Sequence, residues 1–328
     1  YQNISGSWTQ IGNDIDGEGA WDNFGRSVSL SSDGSFVAIG AYGNNGANGD
    51  DTGHVRIYQN ISGSWTQIGN DIDGEAANDK SGSEQSVSLS SDGSVVAIGS
   101  YLNDDNGVDS GHVRIFRNYE DEWIQVGNTL VGEGSNDQSG KAISLSDDGS
   151  VVAIGAIYND GDGTDRGHVR IYQNVDGTWT KIGDDIKGAI SGDHLGNSVS
   201  LSSDGSIIAI GAVQNDENIN SNGYVSIYKN LNNQWTQIGD DIEGTSKGDL
   251  SGFSVMLSND GSIVAIGSPN NDDNGEDSGL VRVYQIELDE TAPSIQGPSG
   301  DAGDSTSSKS ISENSSAIHT FSSNETVT

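Results

Sequence analysis

Three stretches of this sequence set acidic and amide side chains at one spacing around a glycine. They are NDDNGVDSG (Asn103 to Gly111), NDGDGTDRG (Asn159 to Gly167) and NDDNGEDSG (Asn271 to Gly279). The second, fourth and seventh positions hold Asp104, Asn106 and Asp109, then Asp160, Asp162 and Asp165, then Asp272, Asn274 and Asp277. Hard oxygen donors disposed about a glycine turn are what Ca2+ coordination requires, with about six to eight oxygens per ion. These nine residues are the candidate metal ligands, and Ca2+ is the candidate cofactor. The same residue types also favour tight turns, because Asn and Asp side chains bond nearby backbone amides. The two related stretches, NNGANGDDTG and NDENINSNG (Asn215 to Gly223), depart from the pattern.

Other chemically capable residues recur once per repeat. Asp22, Asp79, Asp137, Asp193 and Asp249 each stand three residues before a glycine, which points to a turn-building bond rather than catalysis. His54, His112 and His168 share a position that elsewhere holds Tyr224 and Leu280. A slot that accepts leucine is a packing slot. Arg56, Arg114, Arg170 and Arg282 stand two residues further on and are expected to pair with acids on an adjoining strand or blade. Catalysis at a shared axis would need acids that break the repeat. Glu84 and Glu217 do so, but they lie in loops without an evident partner, so the sequence predicts no catalytic residues and no enzyme, with a glycoside-cleaving propeller using two axial carboxylates as the lesser alternative.

The elements that carry these residues follow from the period. Trp8, Trp65, Trp123, Trp179 and Trp235 recur every 56 to 58 residues. The length changes fall in two loops. One residue is added before Gly53, and two are added between Asp79 and Val87. Each unit holds four strand-like runs, typified by SVSLS (Ser27 to Ser31), VVAIG (Val95 to Gly99), HVRIY (His54 to Tyr58) and WTQIG (Trp8 to Gly12). Alternation marks half-buried strands, the continuous apolar run marks one covered on both sides, and Asp-Gly turns join the first two. No run has helical periodicity. Four antiparallel strands in a unit of this size predict an all-β fold, a β-propeller with five blades in this chain. The chain opens on YQNISGSWTQIGNDIDGE, a phrase repeated from Tyr58, while the last unit ends at VRVYQ without its WTQIG. The N-terminal strand is therefore expected either to close a five-bladed ring or to belong to a larger, seven-bladed one. The fragment YQN favours the latter. Trp side chains are expected between blades, with a multivalent sugar-binding role as the alternative. Trp21 falls outside the repeat and is the candidate exposed contact residue.

Composition narrows the partners. Against 49 acidic residues stand 14 basic ones, a net charge of −35, so phosphate backbones and anionic lipid are repelled and nucleic acid is excluded. No segment reaches the roughly 18 apolar residues that span a bilayer. With 47 Gly, 3 Pro and no Cys, the chain suits short strands and tight turns.

Phe24-Gly25-Arg26-Ser27-Val28 followed by Val37-Ala38-Ile39-Gly40-Ala41, with Gly267-Ser268-Pro269 near the end, resembles the FG-GAP repeat of integrin α-chain propellers and their bacterial relatives. The resemblance covers residues 1–285. It implies a seven-bladed, extracellular, adhesion-type propeller, often calcium-loaded, and the expected partner is a protein or glycan ligand on a cell or matrix surface. That family's calcium sits between the first and second strands, where this chain has only Ser-Ser-Asp-Gly-Ser, so its metal site does not carry over. Residues 286–304 read as a linker. Residues 305–328 resemble the start of a cadherin-like or immunoglobulin-like module, or a polar tail. Together these features predict a secreted or cell-surface, non-enzymatic binding module without membrane insertion.

Overall fold

The computed structural model describes residues 1–213 and 222–287. Tyr1–Ile286 forms one compact unit, and its described residues contain strands and turns but no helix. The fold is an all-β propeller of five antiparallel blades. In the second blade, Val87–Leu89, Val95–Ser100, His112–Tyr119 and Glu122–Gln125 pair in chain order. A short fifth strand, Leu130–Val131, pairs with the start of the third, a feature absent from the sequence expectation. The first, third and fourth blades repeat this plan. First strands of successive blades lie against one another and line the axis, while the half-exposed fourth strands form the rim.

Local chemistry sets the hairpins. Asp92 Oδ1 accepts from Ser90 Oγ at 2.8 Å and Ser94 N at 2.9 Å, Ser90 Oγ accepts from Val95 N at 2.9 Å, and Gly93 takes φ 73°. These bonds favour the ionised carboxylate. At the equivalent Asp33, hydrogen bonds from Ser35 and Ser31 push the pKa down to about 2.

The core lies between blades. The second strands of the second, third and fourth blades are buried along their length, as the apolar run predicts; Val96, Ala97 and Ile98 have no exposed surface. Three contacts recur at each junction, and a fourth, the Trp bond, at the junctions among the first four blades. Ser91 N donates to Asp147 O at 2.8 Å, and Leu145 N donates to Ser88 Oγ at 3.0 Å. Trp179 Nε1 donates to Val126 O at 2.9 Å, and Gly111 bridges Ser139 in parallel. A Cβ on Gly99 would stand 2.0 Å from Gly140 O, so only glycine lets the blades approach this closely. The recurring indoles of Trp123, Trp179 and Trp235 donate to the preceding blade and that of Trp65 to Ile11 after the N-terminal hairpin, which places them between successive units.

The ends differ from the middle. Gln2–Ile4 and Ser7–Thr9 pair with each other, and Ile11 O accepts from Trp65 Nε1. This hairpin therefore precedes the first blade and does not complete the last. Among the described residues the fifth blade has three strands: Ser254–Leu257, Ile263–Ser268 and Leu280–Gln285. Residues 305–328 and most of 286–304, where the sequence suggests a linker and a further module, lie outside the described residues.

Candidate functional site

The second-to-third-strand loops and the segments leading into the first strands share one face of the propeller. On it, the recurrent acids do the structural work expected of them. Asp79 Oδ2 accepts from Glu75 N at 3.0 Å and Ala76 N at 2.9 Å, closing the turn before it. Asp22, Asp137, Asp193 and Asp249 each accept an equivalent amide. Each also ties down the hairpin of its own blade. Asn103, Asn159 and Asn271, the first residues of the three acidic loops, donate to Asp79, Asp137 and Asp249.

Within those loops the first candidate ligand is also a turn former. Asp104, Asp160 and Asp272 each accept the amide of the acid five residues on, at 2.8, 3.1 and 2.7 Å. Those acids, Asp109, Asp165 and Asp277, all take the left-handed conformation near φ 50°. The amide of Asn106 donates across to Gly132 O and Glu133 O. Asp162 lies 3.9 Å from Lys187 Nζ, and Asn274 stands exposed. Residues 214–221, which hold Glu217 and most of the irregular fourth loop, lie outside the described residues.

A different set of acids converges more tightly. Glu18, His54 and Asp71, then Glu75, Asp105 and His112, then Glu133, His168 and Asp185, bring their ligand atoms within 4.8 Å of one another, and such groups can hold a metal ion. Here an arginine already stands on the carboxylates. Arg56 Nη1 lies 3.5 Å from Glu18, Arg114 Nη1 lies 3.7 Å from Glu75, and Arg170 pairs with both Glu133 and Asp185. Arg56, Arg114 and Arg170 thus pair with acids of adjoining segments as predicted, Arg56 and Arg114 from buried positions and Arg170 from a half-buried one. Burial opposes ionisation of Asp185, yet hydrogen bonds from Arg170 and Lys181 hold its carboxyl far below the usual carboxylate range. The histidines are packed as their slot implies, with exposures of 1, 0 and 3%. Burial lowers the pKa of all three; for His168, burial and the neighbouring Arg170 push it down to about 4. Glu18, Glu75 and Glu133 were legible as a recurrent position, but their convergence on His and Arg was not.

The axis carries the chain's variation. At the start of the first strand the five blades hold Arg26, then Glu84 and Gln85, Lys141, Asn197 and Phe253. The two-residue insertion of the second blade projects Gln85 toward the opposite side. Its Nε2 lies 3.4 Å from Phe253 O, which also accepts from Asn197 Nδ2 at 3.1 Å. Glu84, without an evident partner in the sequence, forms an ion pair with Arg26. Lys141 lies between the rings of Tyr101 and Tyr158, 5.7 and 5.6 Å from their centroids, and burial lowers its pKa. Tyr158 meets His194 edge-on at 5.1 Å. Nearby, Lys80 stands 5.4 Å over Tyr42 and pairs with Asp51 at 2.7 Å. Trp21 is 88% exposed at φ 73°, as its place outside the repeat suggests.

Residues 15–58, which include most of the first blade, match the model of the FG-GAP repeat. No match was found among curated proteins. Solved structures similar to this chain include the periplasmic gluconolactonase PpgL of Pseudomonas aeruginosa. That match has 15% identity and a TM-score of 0.47, over 73% of this chain and 63% of that one. A 6-phosphogluconolactonase-like protein of Bacteroides uniformis matches at 11% identity and TM-score 0.45, over 79 and 80% of the two chains. The propeller domain of the trilobed protease of Pyrococcus furiosus matches at 11% identity and TM-score 0.44, over 82 and 73%. This chain thus spans less than two thirds of the gluconolactonase. At such identities the likeness concerns the fold. It nevertheless corrects the expectation of no enzyme, since lactonase-type proteins stand among the propellers this fold resembles. Among the described residues no helix is long and apolar enough to cross a membrane.

Proposed function

We propose that this chain is a ligand-binding propeller module of an extracellular or cell-surface protein, holding a protein or glycan on its loop-bearing face above the axis. One observation carries the reading. The buried scaffold repeats almost unchanged from blade to blade, whereas the axial slot holds Arg26, Glu84 with Gln85, Lys141, Asn197 and Phe253. A site that selects one ligand on a pseudo-symmetric ring must be built where the blades differ, and these side chains cluster there with cations, aromatic rings and amides. The FG-GAP likeness of residues 15–58 supports the adhesion-type placement.

Glycan and matrix-protein arrays test it. A specific ligand should bind at least about tenfold more weakly to Lys141→Ala and Arg26→Ala, with melting unchanged. Binding that ignores both substitutions would remove the axial site. The acidic loops bearing Asp104, Asn106, Asp109, Asp160, Asp162, Asp165, Asp272, Asn274 and Asp277 are proposed as calcium sites that stiffen the same face. Calorimetric titration and melting in chelator read this directly. Calcium that neither binds nor raises Tm would leave these loops as turns alone.

A further inference from the structure

The histidine slot and a glutamate slot come and go together. Ten residues after each recurring Trp stand Glu18, Glu75, Glu133, Ala189 and Thr245, and the blades that follow carry His54, His112, His168, Tyr224 and Leu280 in turn. Glutamate stands wherever the histidine does and nowhere else in this slot. It does not track the arginine, since Arg282 keeps its place in the fifth blade where the glutamate slot holds Thr245. A second carboxylate completes each group by one of two routes. In the first and third blades it is Asp71 and Asp185, six residues after a recurring Trp. The second blade has Thr129 at that position, and Asp105 of the hairpin loop supplies the carboxylate instead. One histidine and two carboxylates thus converge three times from differing elements. Packing alone asks for no such replacement.

The spacing within the groups decides what they hold. His168 is 3% exposed, and its Nδ1 has no hydrogen-bond partner among the described residues. That atom faces Glu133 Oε2 from 3.8 Å, beyond hydrogen-bond reach. His112 Nδ1 lies 3.8 Å from Glu75 Oε2 and 3.1 Å from Asp105 Oδ2, and His54 Nδ1 lies 3.5 Å from Asp71 Oδ2. A tetrahedral ion with ligands at about 2.0–2.2 Å holds them about 3.4 Å apart, and the observed separations bracket that value. The arginines leave room for an ion. Arg114 and Arg170 approach Oε1 of Glu75 and Glu133, whereas Oε2 is the oxygen that faces the imidazole. Asp185 carries both Arg170 and Lys181, so the third group is the most crowded by cations.

We infer that these three groups are binding sites for a transition-metal dication of the Zn2+ class. Each ion ties the segment leading into a blade to the third strand of that blade, with a fourth position left to water. An imidazole nitrogen beside two carboxylates suits such an ion, whereas Ca2+ takes oxygen alone. The sites are separate from the nine loop residues proposed for calcium, which include neither Asp105 nor any histidine.

Calorimetric titration of the chelator-treated chain with Zn2+, alone and in about hundredfold excess Ca2+, tests this. Wild type should bind three Zn2+ per chain, one for each group, with little change when Ca2+ is present. Each of His54→Leu, His112→Leu and His168→Leu should remove one equivalent. The fold should survive, because Leu280 fills this slot in the fifth blade. Should a histidine variant fail to fold, Glu18→Thr, Glu75→Thr and Glu133→Thr carry the test from exposed positions, copying Thr245. Each should remove the same equivalent. A chain that binds no Zn2+, a stoichiometry unchanged in the His and Glu variants that fold, or Zn2+ displaced by an equal concentration of Ca2+ would each overturn the inference.

Discussion

His168 offers the sharpest test of how the junctions are held. It is 3% exposed, Nδ1 lies 3.8 Å from Glu133 Oε2, and burial with Arg170 nearby lowers its pKa from 6.5 to about 4. The unfolded chain therefore takes up this proton before the folded one does. Stability from the neutral ring is complete above about pH 6.5 and is lost as pH falls toward 4. Working the two proton-binding curves at pH 4.5 gives a loss of about 2.5 kcal/mol from this residue alone. His54 and His112, lowered by the same burial, act in the same direction. The perturbation is His168→Leu, since Leu280 occupies that slot in the fifth blade. Urea unfolding of the chelator-treated chain, followed by Trp fluorescence at pH 7.5 and 4.5, supplies the readout. Wild type should lose about 2.5 kcal/mol more than the variant between the two pH values. Equal losses in both proteins would refute the claim that His168 is held neutral by burial.

Three further outcomes follow from the junctions. Gly155→Ala sets a Cβ 2.1 Å from Gly196 O, backbone that cannot yield, and should cost about 3 kcal/mol in chemical denaturation. Gly267→Ala, which meets only Ser254 Oγ, should cost clearly less. Trp179→Phe removes the bond to Val126 O from a side chain 4% exposed and should cost about 1–2 kcal/mol, while Trp8→Phe, at 69% exposed, should stay within about 0.5 kcal/mol. Asp79→Ala strands the amides of Glu75 and Ala76 and the side chain of Asn103, so its unfolding midpoint should fall by the equivalent of about 2–4 kcal/mol.

Where the determinants are local, they were legible in the chain. The recurrent Trp spells the blade, alternation and the Ser-Asp-Gly-Ser turns spell its hairpins, and a histidine slot that tolerates Leu280 announces packing. Each depends on neighbours a few residues away or on comparing a position with its own repeats. The short fifth strand escaped notice because two residues carry no periodicity. The loop acids had two legible uses, and the turn bond of Asp104 to Asp109 is settled only by backbone shape. Tertiary structure alone decided what lies about 50 residues apart or across the axis. It joined Glu84 to Arg26, gathered Glu133, His168, Arg170 and Asp185 into one network, and carried Gln85 to Phe253. It also decided that the N-terminal strand pairs with its own hairpin. Sequence repeats specify the halves of a junction, but which halves meet depends on how the blades pack in space.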